Sequence, residues 1–316
     1  MPLILDTDIG GEPDDALALA VAAGFPELAL VITSDEQDGR RAKLARLLLD
    51  LLMRSDVPVV AGRDLGRTEN WAVEGLGRYG VPDQLTDVLG SVDALLKKAS
   101  EPVVWVGTGP MSNLADVIAG IPAAQQLMIV QTGGSHSWFT DRAEPTAGLD
   151  LPAARTVLSA GIPMQLLPAE VTMDALNVID RDAIEYRVIA RSENPACVVL
   201  HNHMDFWFER HRSSIDQSAL LALAFAVDSR IFTVSPRGIE LDDIGRVQPG
   251  EHVVSMTDGV DYRKFNSWCI PLLANLENQH HSISTANSSA IRAHTATEVL
   301  AAYRDEHHQA ALDERE

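Results

Sequence analysis

An apolar run that ends in closely spaced carboxylates constrains this chain more than any other stretch of it. Leu3-Ile4-Leu5-Asp6-Thr7-Asp8 begins with the short, continuous hydrophobicity of a buried strand. Ile9-Gly10-Gly11-Glu12-Pro13 then forms a turn, and Asp14-Asp15 open an alanine- and leucine-rich segment of helical character at 16–23. Asp6 and Asp8, two residues apart, project to the same side of a strand. In an open α/β sheet, ligands sit just beyond the carboxyl ends of the strands. Capping the helix would need only one of Asp14 and Asp15 and would contribute about 1 kcal/mol. Four aspartates and Glu12 within ten residues exceed that need. At about 4 Å each like-charge contact costs several kcal/mol at an effective dielectric near 20. A hard cation relieves the repulsion, and an all-oxygen set with room for carbonyl and water ligands points to Ca2+.

The segments that follow alternate in period. Strands are expected at 3–5, 28–33, 57–61, 102–106, 127–131 and 163–167, and helices at 16–23, 41–53, 91–98, 112–119 and 151–160. That alternation is the pattern of an α/β domain with a central, mostly parallel sheet flanked by helices. Beyond it the pattern changes, with helices expected at 180–191 and 219–225 and strands at 231–234 and 252–256. No repeat or linker divides residues 1–316, so one domain is expected, ending in a polar tail at 304–316. The length and the 46% hydrophobic content suit such a core.

Acidic residues outnumber basic ones by 45 to 25, and the net charge of −20 argues against nucleic acid or an anionic membrane surface as partner. A metal cation or a neutral small molecule fits better. The longest apolar stretches, such as 219–227, fall short of the roughly 20 residues that span a bilayer. The first residues show no basic region followed by an apolar one, so a cytoplasmic protein is expected. Cys197 and Cys269 are widely separated and read as structural thiols.

The acidic segment resembles the N-terminal signature of the inosine-uridine-preferring nucleoside hydrolase family. Further along, Val104-Trp105-Val106-Gly107-Thr108-Gly109-Pro110-Met111-Ser112-Asn113 looks like that family's threonine- and glycine-rich turn before a helix. Ile129-Val130-Gln131-Thr132-Gly133-Gly134 looks like its strand ending in a double glycine, and Glu144 with Asp150 keeps the spacing of a later acidic motif. The motifs cover the first half of the chain in order. The resemblance implies a nucleoside hydrolase-like fold with a Rossmann-like core. It also implies Ca2+-dependent cleavage of the N-glycosidic bond of a ribonucleoside, or a related N-riboside, by an Asp-activated, metal-bound water, and a homodimer or homotetramer. Carried over by position, Asp8 is the general base and a metal ligand, Asp15 and the Thr108 carbonyl are further metal ligands, and Asp14 and Glu144 bind the ribose. Asp6 orients the cluster from behind. The chemistry suits these residue types: an oxocarbenium-like transition state needs a carboxylate to deliver water to one face of the sugar, and a metal orients that water and lowers its pKa.

The chain also departs from the family pattern. The turn through Gly10-Gly11-Glu12-Pro13 is two residues longer than the commonest form, and Glu12 is expected to face solvent. Thr146 stands where an asparagine is usual, and within Asp35-Glu36-Gln37-Asp38 the substrate contact is assigned to Asp38. In the second half a histidine-aspartate pair is often present. Here Asp216 stands in for the aspartate as metal ligand only if about three extra residues are accommodated, and no histidine precedes it directly. The proton for the leaving group then comes from elsewhere, or the base leaves after stacking on an aromatic ring. His136 and Trp138 after the double glycine, Trp71, and the cluster His201, His203, Phe206 and Trp207 are the candidates. Asp242-Asp243 and His280-His281 read as solvated loop residues. Two other functions compete. One is a phosphatase of the haloacid dehalogenase-like type, which Lys43, Lys97, Lys98 and Lys264 fit poorly because they stand in helical or surface contexts. The other is a catalytically weak or inactive protein on the same fold that binds metal and riboside.

Overall fold

Alternate residues of the first strand enter different cores. In β1 (Leu3–Thr7), Leu3 and Leu5 join one apolar cluster and Ile4 the other, as the two-residue period of a strand requires. The computed structural model describes residues 1–67, 71–73, 81–137, 139 and 143–284. After β1 come α1 (Asp14–Ala23), β2 (Leu28–Thr33), α2 (Arg40–Leu51), β3 (Val59–Ala61), α3 (Val88–Lys98) and β4 (Val103–Gly107). Then follow α4 (Ser112–Gly120), β5 (Leu127–Thr132), α5 (Leu151–Ser159), β6 (Met164–Leu167) and the single turn α6 (Ala169–Thr172). The second half holds β7 (Val178–Ile179), α7 (Ile184–Arg191), α8 (Pro195–Arg210), β8 (Ile215–Asp216) and α9 (Ser218–Val227). It ends with β9 (Phe232–Leu241), β10 (Val247–Pro249), β11 (His252–Val260) and α10 (Tyr262–Ser284).

Among the described residues the main sheet has the order β10-β9-β11-β6-β5-β4-β1-β2-β3. Pairing is parallel from β3 across to β11 and antiparallel only at β9 and β10, so the mostly parallel sheet is borne out. The strands β7 and β8 form a separate antiparallel pair. One layer, built from α1, α2, α8, α9 and α10, packs with Leu5, Val31, Val106 and Val130 of the sheet. On the other face, α3, α4 and α5 pack with Ile4, Ile32, Trp105 and Ile129. Each fully buried Leu or Ile contributes roughly 1.5–3 kcal/mol. Helix α9 is apolar on every side and correspondingly buried at Ala219 through Ala224. Among the described residues no helix is long and apolar enough to cross a membrane.

The expected elements through residue 167 all form, with boundaries shifted by a few residues. Helix α2 stops at Leu51, before Met53 at φ +61°. In the second half the expectations need correction. Helix α7 begins only at Ile184, because 180–183 form a turn. Strand β9 runs on to Leu241 through Pro236, which is tolerated because β10 pairs only from Ile239 onward and leaves that stretch at an open edge. Helix α8 was not foreseen, although Asn194 caps it through the Ala196 amide and Pro195 opens its first turn. His280 and His281 lie in helix α10 and not in a loop, whereas Asp242 and Asp243 do occupy a turn. The tail at 304–316 lies outside the described residues.

The chain leaves β1 toward β2 and β3 on one side and reaches β4 and β5 on the other. Asp6, Asp8, Ser34, Thr108 and Thr132 therefore stand at the carboxyl ends of strands beside a topological switch point, where α/β sheets form their ligand crevice.

Candidate active site

The acidic turn is assembled by polar groups drawn from six elements. Neither Asp14 nor Asp15 caps its own helix: Pro13 occupies the N-cap position of α1 without a side-chain bond. Asp15 Oδ1 instead accepts the hydroxyls of Thr7 at 2.6 Å and Thr108 at 2.5 Å. Asp14 Oδ2 accepts the amide of Ala219 at 2.8 Å, one of the amides that a helix start leaves without an intrahelical partner. Asp6 is buried and accepts from Asn113 Nδ2 at 3.0 Å, so α4 steadies it from behind. The backbone of Thr108 donates to the Asp6 carbonyl at 2.9 Å, and the Thr108 carbonyl receives the Thr132 hydroxyl at 3.0 Å.

Of the four aspartates only Asp8 is partly exposed; Asp6, Asp14 and Asp15 are buried. Burial and the carboxylate of Asp15 push Asp8 up to about 7, and the guanidinium of Arg41 opposes them. Burial pushes Asp6 up to about 8; burial and the charge of Asp15 raise Asp14 well above the usual carboxylate range, and burial raises Asp15 against the hydroxyls of Thr108 and Thr7. Among the described residues no three Asp, Glu, His or Cys side chains form a ready-made ligand group. The donors nonetheless fit a hard divalent cation, being carboxylates and a carbonyl whose crowded charges burial opposes and a cation would offset.

Arg41, on the inner face of α2, lies wholly buried beneath the turn. Its Nη1 donates to the carbonyls of Asp8 and, at 2.9 Å, of Ile9; its Nε donates to the Asp35 carbonyl at 2.8 Å, and Nη2 lies 3.6 Å from the Asp35 carboxylate. Glu36 caps the same helix by accepting the amides of Gln37, Arg41 and Ala42 at 2.8–3.1 Å. The assignment of Asp38 is not favoured: Asp38 is exposed at φ +51°, while Asp35 is buried and raises Asp8 through its charge. Arg41 was missed, and Asp35 was passed over for Asp38. The signal for Arg41 was its place at i, i+3 and i+7 with Leu44 and Leu48, a charge on an apolar stripe.

Glu12 is only partly exposed, its carboxylate turned to the protein rather than to solvent as expected. Its Oε1 accepts the Asp216 amide at 2.7 Å, and burial pushes the acid up to about 8. Asp216 thus comes to the acidic turn, its carboxylate 3.4 Å from Arg212 Nη1. His203 is buried with Nε2 2.9 Å from the Gly11 carbonyl, which makes that nitrogen the donor; burial depresses the ring to about 4. His201 turns the other way, to the Tyr186 hydroxyl at 3.0 Å and to Asp205.

Glu144 is buried, and its Oε2 accepts the amides of Thr146 at 3.0 Å and Ala147 at 2.5 Å. Thr146 packs over Gly133, where an added Cβ would approach Thr146 Cβ to 2.7 Å. Asp150 caps α5 and accepts from Ser112 Oγ at 2.7 Å. Trp71 covers Gly10, at φ +99°, so closely that an added Cβ would lie 2.5 Å from its ring. His136 is exposed, its amide held at 2.8 Å by Glu170, which also receives Ser135 and Ser137. Trp138 lies outside the described residues.

The family model described as inosine-uridine preferring nucleoside hydrolase matches residues 3–293. The chain is 30% identical over 280 residues to the pyrimidine-specific ribonucleoside hydrolase RihA of Enterobacter sp. (strain 638), covering 80% of this chain and 88% of that protein. Among solved structures it is similar to a purine-preferring ribonucleoside hydrolase from Gardnerella vaginalis, with a TM-score of 0.71, 22% identity and coverage of 88% and 99%. A plant nucleoside hydrolase superposes with a TM-score of 0.70 at 18% identity, over 87% of this chain and 98% of the other.

Proposed function

Because the chain belongs to the inosine-uridine preferring nucleoside hydrolase family, we propose that it hydrolyses the N-glycosidic bond of a ribonucleoside with Ca2+ as cofactor. The observation that carries the mechanism is the partial exposure of Asp8 among aspartates that are otherwise buried. A general base must meet the water it deprotonates, and in the acidic turn Asp8 alone of the four does.

Asp8 takes a proton from the attacking water as its oxygen bonds to C1′ of the ribose and the C1′–N bond breaks. The departing base keeps the electron pair of that bond. His203 is not the group that protonates it, since its N–H is committed to the Gly11 carbonyl. Asp14 keeps Oδ1 for the ribose hydroxyls while Oδ2 holds Ala219. Glu144, fixed by the amides of Thr146 and Ala147, faces the sugar together with Thr146. Asp35 takes the role first assigned to Asp38, and His136 belongs to the segment that meets the base. Asp8, Asp15, the Thr108 carbonyl and Asp216 would hold the ion. When bound, Ca2+ supplies the positive charge that keeps these carboxylates ionised and polarises water. A cytoplasmic homodimer or homotetramer belongs to the same reading.

The test is ribose release from a panel of purine and pyrimidine ribonucleosides, for the wild type and for Asp8→Ala, with and without a chelator. Loss of at least about a hundredfold in Asp8→Ala is expected, with chelator-sensitive release in the wild type and the panel ranking the bases. Release from no riboside above the Asp8→Ala background would overturn the reading.

A further inference from the structure

The turn between Asp8 and Asp14 is tied to the second half of the chain by three hydrogen bonds, two of them from Gly11 and Glu12. The Gly11 carbonyl meets His203 Nε2 of α8 at 2.9 Å, and Glu12 Oε1 meets the Asp216 amide of β8 at 2.7 Å. Asp14 adds the third, to the Ala219 amide. Asp216 and Ala219 flank Gln217, the N-cap of α9, whose own side chain makes no capping bond. The Ala219 amide, in the first turn of α9, has no intrahelical acceptor and is met by Asp14, while Glu12, two positions earlier on the acidic turn, meets the Asp216 amide just before the helix. Those carboxylates also lie at the positive end of the α9 dipole. Among the described residues the Asp216 carboxylate is approached at 3.4 Å by exposed Arg212, and its backbone is held between Glu12 on one side and the pairing of β8 with Val178 of β7 on the other.

We propose that Glu12 is a positioning residue: by accepting the Asp216 amide it sets the register of β8 and the first turn of α9 against the acidic turn, and so delivers the Asp216 carboxylate to the cation. The proposal rests on the reading of Asp216 as a metal ligand. It assigns the lengthened turn a task, since Gly11 and Glu12 supply the acceptors that meet His203 of α8 and the Asp216 amide of β8. Glu12 acts through its carbonyl-type oxygen, which a glutamine also offers, and not through its charge.

Two measurements on the full-length protein test this for wild type, Glu12→Gln and Glu12→Ala. One is hydrogen exchange of the metal-free protein across 213–219; the other is titration with Ca2+ alone by calorimetry. Glu12→Ala is expected to speed exchange at the Asp216 amide and weaken Ca2+ binding about tenfold, the lower end for loss of a residue that orients a ligand. Glu12→Gln should retain both. Equal weakening in the two variants would make Glu12 a ligand or a charge and overturn the positioning role, as would unchanged exchange at Asp216 in Glu12→Ala. If the wild type binds no Ca2+, the metal reading fails separately, and the exchange arm still decides whether Glu12 sets the register.

Discussion

The guanidinium of Arg41 donates to the backbone carbonyl of Asp8 from beneath the acidic turn, with no exposure to solvent. The same group reaches the carbonyls of Ile9 and Asp35 and the carboxylate of Asp35. Replacing it with methionine removes the buried donor of three carbonyls and leaves Asp35 without this countercharge. Arg41→Met is expected to cost about 3–5 kcal/mol in urea unfolding, as for one partner of a buried pair, and Arg41→Lys less. Unchanged unfolding midpoints would refute the account.

Gly109 faces Asp8 across a gap too small for a methyl group. A Cβ there would overlap Ser34 Oγ and come within 2.9 Å of Asp8 Oδ1. Gly109→Ala should therefore displace the Asp8 carboxylate and lower kcat by about a hundredfold, the scale expected for a misplacement near 1 Å. The circular dichroism spectrum should stay native. A variant with wild-type kcat would show that Asp8 tolerates the shift.

Calcium should stabilise the protein by offsetting the charge gathered around Asp15. At a hundred times the dissociation constant the gain is about 2.7 kcal/mol, measured as a rise in Tm over the chelated protein. Asp15→Asn keeps an oxygen for the hydroxyls of Thr7 and Thr108 but removes one charge. It is expected to exceed the wild type in Tm under chelator and to lose most of the calcium response. A full response in Asp15→Asn would remove Asp15 from the ligand set.

Acid should weaken the fold through His203. Burial depresses its folded value to about 4 against an ordinary 6.5, so between those values the unfolded chain binds the extra proton. The stability this neutral ring contributes is complete above pH 6.5 and is lost as pH falls toward 4, on the order of 3 kcal/mol in all. His203→Gln, which keeps an N–H for Gly11 without the titration, should flatten the dependence of the urea midpoint over that range. Parallel curves for the two proteins would contradict it.

The sequence carried most of the site's near side. Strand ends at Asp6, Thr108 and Thr132 follow from apolar runs that stop in polar residues, and parallel strands bring such ends together at one edge. The far side was illegible for a different reason. Periodicity says which face a residue takes, but not which residue some 200 positions away will meet it. Glu12 looked like a solvated turn residue because its partner is a backbone amide, which has no signature in the side chains around it. Asp35 and Asp38 looked interchangeable in one acidic run, and only the path of the chain into α2 buries the first and exposes the second. His203 carried an aromatic-rich neighbourhood suggestive of chemistry, yet it lies on the inner face of α8 with Leu200 and Met204.

The three bonds that tie the acidic turn to α8, β8 and α9 join residues 192, 204 and 205 positions apart. During synthesis the Gly11 carbonyl and the carboxylates of Glu12 and Asp14 therefore wait for donors that follow roughly 200 residues later. Closing loops of that size slows folding. The strands and helices of the first half can pair and pack early, but the turn they frame is completed only when α8, β8 and α9 of the second half arrive.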